Sequence, residues 1–250
     1  MIKVLDKTFQ ILELLACAAP EPLSPQELAR QLDLNRATCS RLLRELLDNG
    51  YVIRHSRQKG YLPGPKILAL SNQSAFQEDL LVFARPVIDN YSRELCNSML
   101  ITRIYGGKRY VLYHKNGNPA VKITMEKLAF DDIFCTATGL LDAAYLPPEE
   151  QRDLFLSQQN AGGGFFSELQ HENAALEKLT AIRREQWVDC RKEEQWIYAA
   201  PVFRDNSFTA ALGLSIPLFE HNDDYHSKAC RLVRQAAQEI SRKISTFHSA

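Results

Sequence analysis

Apolar residues recur at helical spacing at the start of the chain, at Leu5, Phe9, Leu12, Leu15 and Ala16. That pattern predicts an amphipathic helix over residues 4–18, which Pro20 and Pro22 end. Ser24, Pro25 and Glu27 then supply an N-cap, a proline at the first helical position and a capping-box glutamate. The second helix they open buries Leu28 and Leu32 and stops near Asp33. Asn35 caps a third helix that runs to Asn49, with Gly50 suited to the left-handed position just past its end. Tyr51–Arg54 and Gly60–Pro63 are short β-prone runs around the polar turn Ser56-Arg57-Gln58-Lys59, which predicts a hairpin. Pro63 fits only the end or edge of its strand. Gly64-Pro65 interrupts the pattern before another short helix begins at Lys66.

Helical and extended stretches mix over the rest of the chain. A helix is expected over 77–96, bent or broken at Pro86. Strands over 98–105 and 109–115 join at Gly106-Gly107-Lys108, a strong hairpin signal. Helices follow at 136–146, 148–158 and 167–186, then strands at 195–203 and 208–216 around Arg204-Asp205-Asn206-Ser207, and a last helix over 222–247. This is an α+β plan: a winged helix-turn-helix over 1–64, a helical linker over 65–76, and an antiparallel-sheet domain over 77–250. Gly162-Gly163-Gly164 neither follows a strand nor ends in a phosphate-binding signature, so it reads as a loop.

The formal net charge is zero, so any surface for a polyanion has to be local. Arg36 to Lys66 holds seven positive and two negative side chains, a local +5 that attracts polyanions. Cys17, Cys39, Cys96, Cys135, Cys190 and Cys230 show no CxxC pair, which predicts reduced thiols. Cys135, Cys190 and His114 lack ligand spacing, so neither a metal nor a cofactor is expected. The apolar run Phe9–Ala19 contains Glu13 and is too short to span a bilayer. No secretory pattern opens the chain. A cytoplasmic protein without membrane association is expected.

At about 100° per residue, Cys39, Leu42, Leu43 and Leu46 share one side of the third helix, and Arg36, Ala37, Ser40, Arg41 and Arg44 share the other. A helix lying in a DNA major groove needs that division. Arginine forks pair with guanine O6 and N7 or with phosphate, and small residues let the helix axis approach the bases. Thr38 and the N–H groups of the first turn suit a phosphate oxygen. Arg54, Arg57 and Lys59 of the hairpin are expected to contact the backbone or minor groove of double-stranded DNA.

Five stretches, LDKTFQILELLA (5–16), LSPQELARQLDLNRATCSRLLRELLDNGYV (23–52), YLPGPKILAL (61–70), FCTATGLLDAAYLP (134–147) and YAAPVFRDNSFTAALGLSIP (198–217), resemble in this order the IclR-type family of bacterial transcriptional regulators. The resemblance implies a DNA reader joined by a helical linker to a GAF/profilin-like domain that binds a small-molecule effector. It also implies a homodimer or tetramer whose DNA domains pair through their N-terminal helices. The family's effector pocket is lined by a small-residue segment, an acidic stretch and hydroxyl residues on the last strand. The matching positions here are Ala137, Thr138, Gly139, Asp189 and Ser215. Gly213 stands where the family has a second serine, and VDCRKEEQW (188–196) departs from the usual acidic stretch. An organic acid or aromatic compound is the expected effector class. Thr136, Thr138 and Ser215 also read as capping or core hydroxyls. A competing reading, a small-molecule-processing enzyme domain over 77–250 with the winged helix as an interaction module, finds no GxSxG, HExxH, Walker-type or dinucleotide fingerprint, and Cys135 as a nucleophile would need a base that the sequence does not show.

Overall fold

The computed structural model describes residues 3–56, 60–71, 79–120, 127–220 and 222–246. The bulk of the chain divides into two units, the first ending at Glu78 and the second beginning at Asp79.

The first unit opens with α1 (Lys3–Ala18), and side-chain caps fix the starts of the two helices that follow, α2 (Pro25–Gln31) and α3 (Arg36–Asp48). Ser24 Oγ accepts from the Glu27 N–H at 3.2 Å while the Glu27 carboxylate accepts from the Ser24 N–H at 2.8 Å, a closed capping box. Asn35 Oδ1 accepts from the Thr38 N–H at 2.8 Å and starts α3. Each cap of this kind contributes about 1 kcal/mol. Gly50, at φ +77°, takes the left-handed turn out of α3. β1 (Val52–Ser56) and β2 (Gly60–Pro63) pair antiparallel, and Leu23 bonds to Tyr61 in both directions at 3.1 and 2.9 Å. The hairpin is thereby tied to the residue that precedes the α2 cap. Residues 57–59 of its turn lie outside the described residues. Ile11, Leu15, Leu28, Leu43, Leu46 and Val52 are among the residues of the core beneath. α4 (Pro65–Ser71) follows.

The buried stripe of α1 differs from the expected one. Of the expected positions Leu15 is buried beside Ile11 and Leu12 packs against the same core, whereas Leu5 and Phe9 are 50% and 59% exposed and Ala16 is exposed too. The exposed stripe is rotated by about 120° from the buried one. Both have helical spacing, so periodicity alone did not separate them.

In the second unit α5 (Asp79–Leu95) runs as one helix through Pro86. The sheet comprises β3 (Ser98–Tyr105), β4 (Lys108–Asn116), β5 (Ala129–Phe130), β6 (Val188–Lys192), β7 (Gln195–Arg204) and β8 (Ser207–Pro217), in the antiparallel order β5-β4-β3-β8-β7-β6. The helices are α6 (Ala137–Ala144), α7 (Pro148–Asn160), α8 (Glu172–Glu185) and α9 (Asp223–Thr246). β5 and β6 were not expected. The helix expected over 167–186 is a short 3₁₀ turn at Ser167–Leu169 followed by α8. Strand alternation gives the sheet a core on each face. Tyr198, Ala200 and Val202 of β7 pack with α5 and α9, and Ile197 and Ala199 pack with α6 and α8. Among the described residues no helix is long and apolar enough to cross a membrane.

Candidate functional site

α3 sorts its side chains by face. Cys39, Leu42, Leu43 and Leu46 are buried against the trio of helices, while Arg36, Ala37, Ser40, Arg41 and Arg44 are exposed. Three guanidinium groups thus stand on one side of a helix whose opposite side is fixed in a core. Thr38 is half-buried, and its N–H is committed to the Asn35 cap, so that donor is not available to a phosphate as the sequence had suggested. Arg54 on β1 is exposed, with its guanidinium carbon 5.5 Å from the centroid of the Tyr61 ring. Lys66, which was not among the expected contacts, stacks over Tyr51 at 5.1 Å and adds a cation beside the hairpin. Arg57 and Lys59 lie outside the described residues.

A cavity of about 350 Å³ opens in the second unit where α6 begins against β8. Thr136 caps α6 by accepting the Gly139 N–H at 3.2 Å. The first-turn N–H groups of Ala137 and Thr138 have no partner within the helix, and the helix start carries partial positive charge. Ala137, Thr138, Gly213 and Ser215 line the cavity. So do Lys192 and Gln195 from β6 and β7, together with Arg109 and Asp132. Arg109 is buried and held by Asp132 through two hydrogen bonds, Nε at 2.8 Å and Nη2 at 2.6 Å. Lys192 Nζ lies 3.7 Å from Cys135 Sγ, and Ser215 Oγ donates to Gln195 Oε1 at 2.6 Å. A helix start and a lysine, in a cavity that Leu100, Ile197 and Leu214 also line, can seat a small organic anion.

Burial pushes the Cys135 thiol above its ordinary value, with Lys192 pulling it part of the way back, and burial pushes Cys190 up to about 12. Thiols raised in this way are poor nucleophiles at neutral pH.

The structure brings Ala137, Thr138 and Ser215 together at the cavity. Gly139 sits one step further into α6, where a Cβ would stand 2.4 Å from the Ile133 carbonyl oxygen. Asp189 is on the other face of the sheet. Val188 and Cys190 pack with the α6 and α8 core, so alternation turns Asp189 toward α9. There the Trp196 indole N–H donates to Asp189 Oδ1, and His226 Nε2 is 3.3 Å from Asp189 Oδ2. Among the described residues the potential metal ligands that converge are Asp189, His226 and Cys230, not Cys135, Cys190 and His114. The His-x₃-Cys spacing on the last helix was a readable signal for two of these. Nothing local marks Arg109 and Asp132, whose pairing spans 23 residues.

Residues 4–56 match the family described as the IclR helix-turn-helix domain. The HTH-type transcriptional regulator Rv1719 of Mycobacterium tuberculosis is 25% identical over 150 residues, which are 60% of this chain and 57% of that protein, so the match spans little more than half of the relative. Among solved structures, an IclR transcriptional regulator from Alicyclobacillus acidocaldarius superposes with a TM-score of 0.71 at 16% identity, over 98% of this chain and 99% of that one. An IclR homolog from Microbacterium hydrocarbonoxydans, complexed with 4-hydroxybenzoate, gives a TM-score of 0.71 at 15% identity over 97% and 99%. At these identities the two structures establish a shared fold.

Proposed function

We propose that this protein is a cytoplasmic, ligand-responsive regulator that binds double-stranded DNA, since residues 4–56 match the IclR helix-turn-helix domain and the chain as a whole shares the fold of solved IclR regulators. Residues 1–64 are the reader, 65–76 the linker and 77–250 the effector-binding and oligomerising domain. The observation that carries the reading is the one-sided α3, with Arg36, Arg41 and Arg44 exposed opposite four buried core positions. In a symmetric dimer two such helices sit about one DNA turn apart, which makes the operator palindromic. The exposed Leu5–Phe9–Ala16 stripe of α1 supports pairing of the DNA domains through their first helices.

The cavity supports a small organic acid as effector, because Lys192 and the start of α6 both favour a carboxylate. The aromatic acid carried by the Microbacterium homolog is a member of that class. Effector binding changes DNA affinity to the extent that the ligand prefers one arrangement of the DNA domains over another.

The test is fluorescence anisotropy at fixed salt, with the full chain and a duplex recovered by selection on it. Arg41→Ala and Arg44→Ala should each weaken the selected site by about 1–3 kcal/mol. Unchanged affinity in both folded variants would overturn the assignment of α3.

A further inference from the structure

On the sheet face opposite the cavity, one side chain from β6 and two from α9 converge. His226 and Cys230 are one helical turn apart and share a face of α9. Asp189 reaches them from β6, the edge strand of the sheet. The donor atoms form a triangle: His226 Nε2 to Asp189 Oδ2 is 3.3 Å, Cys230 Sγ to His226 Nε2 is 3.6 Å, and Cys230 Sγ to Asp189 Oδ2 is 3.9 Å. Tetrahedral zinc, with bonds of about 2.1 Å to nitrogen and oxygen and about 2.3 Å to sulfur, requires edges of roughly 3.4 Å between nitrogen and oxygen and roughly 3.6 Å from sulfur to each. The triangle therefore already has the size of one face of a coordination tetrahedron.

The remaining polar atoms of these ligands are held by neighbours. Tyr198 Oη lies 2.9 Å from His226 Nδ1, where it can accept the Nδ1 proton in the tautomer that turns the Nε2 lone pair toward the other donors. The Trp196 indole occupies Asp189 Oδ1 and leaves Oδ2 facing the triangle. Partners in this position fix the tautomer and orientation of metal ligands. The trio is half-buried, with the His226 and Asp189 side chains 30% and 22% exposed, so an ion can reach it.

We propose that Asp189, His226 and Cys230 form a binding site for a zinc-class divalent transition metal, with a fourth coordination position open to water or an exogenous ligand. A sulfur, nitrogen and oxygen set selects zinc or cobalt over magnesium and calcium, which take oxygen ligands. Binding joins α9 to the edge of the sheet and releases the thiol proton to solvent as the Cys230 sulfur becomes a thiolate ligand. This site does not depend on whether the chain regulates transcription.

The experiment uses the full chain, freed of metal with a chelator and titrated anaerobically with Co²⁺. The expected result is one equivalent bound, with the strong visible bands of tetrahedral cobalt and a near-ultraviolet sulfur-to-cobalt band, all abolished by added Zn²⁺. Cys230→Ser should remove the sulfur band. His226→Gln and Asp189→Asn should each weaken cobalt binding by at least about tenfold, while Cys135→Ser leaves the spectrum unchanged. The wild-type titration stands by itself if a variant fails to fold. Absence of stoichiometric tetrahedral cobalt in the folded wild-type chain overturns the proposal, as does a spectrum that survives in both Cys230→Ser and His226→Gln.

Discussion

Thr138 and Gly213 fill one another's space: a Cβ built on Gly213 would stand 2.5 Å from Thr138 Cγ2. Gly213 lies on β8 and Thr138 in the first turn of α6, so the pair sets how closely the helix start approaches the sheet at the cavity. A glycine at this position thus has a local cause, the threonine methyl. Gly213→Ala should overpack this contact and cost about 1–3 kcal/mol. Thr138→Ser removes the methyl while keeping the hydroxyl, and should recover much of that loss when combined with Gly213→Ala. Both tryptophans, Trp187 and Trp196, lie in the second unit, so urea unfolding of the full chain followed by their fluorescence reads this contact. Additive effects in the double variant would show that the two residues are not coupled.

Patterns confined to one element were legible in the sequence. The capping box at Ser24 and Glu27, the Asn35 cap and the two faces of α3 all follow from spacing within a single helix, and the structure places each as expected. Relations between elements were not. Leu5 and Phe9 have the same helical spacing as Ile11 and Leu15, and only the packing of α1 shows which stripe faces the core. The short edge strand β6 has two core-facing residues, too few for alternation to distinguish it from a polar loop, and without it the side on which Asp189 lies is undetermined. The cavity was half visible. Its small-residue segment could be named, but Arg109, Lys192 and Gln195 arrive from strands distant in sequence.

Asp142, fully buried on α6, accepts a hydrogen bond from Thr102 Oγ1 at 2.7 Å. Burial pushes its carboxyl up to about 8, against the opposing pull of Thr102, Arg109 and Arg103. An unfolded aspartate titrates near 4. Between those values the folded chain holds a proton that the unfolded chain has released, so this group makes stability fall as pH rises. The slope is at most about 1.4 kcal/mol per pH unit, flat below about pH 4 and again above about pH 8. Asp142→Asn is neutral throughout and keeps an acceptor for Thr102. Its stability relative to the wild type should therefore climb from pH 5 to pH 8. Parallel profiles in tryptophan-monitored urea unfolding would mean that Asp142 is ionised in the folded protein.

Lys192 is the cavity cation that is not committed to a bidentate carboxylate, in contrast to Arg109 with Asp132. If a carboxylate is the effector's recognised group, Lys192→Met should weaken it by about 1.5–3 kcal/mol, the worth of a charged hydrogen bond. Aliphatic and aromatic carboxylates are first screened against the full chain by thermal shift, and the strongest is then titrated by calorimetry into wild type and variant. Equal affinity for both would place the ligand's charge elsewhere.

Phe9 and Leu5 stand on a stripe of α1 that leaves the core of its own unit to Ile11 and Leu15. Covering one phenylalanine side chain is worth about 1.5–3 kcal/mol, and a two-fold interface counts every contact twice. Phe9→Glu would place two carboxylates in such an interface and remove the apolar gain from both copies. In sedimentation velocity the variant should shift toward the smaller species at concentrations where the wild type is associated. Its affinity for a palindromic duplex should fall much further than its affinity for a single half-site, since α3 itself is untouched. Unchanged mass together with unchanged palindrome affinity would mean that the DNA domains do not pair through this helix.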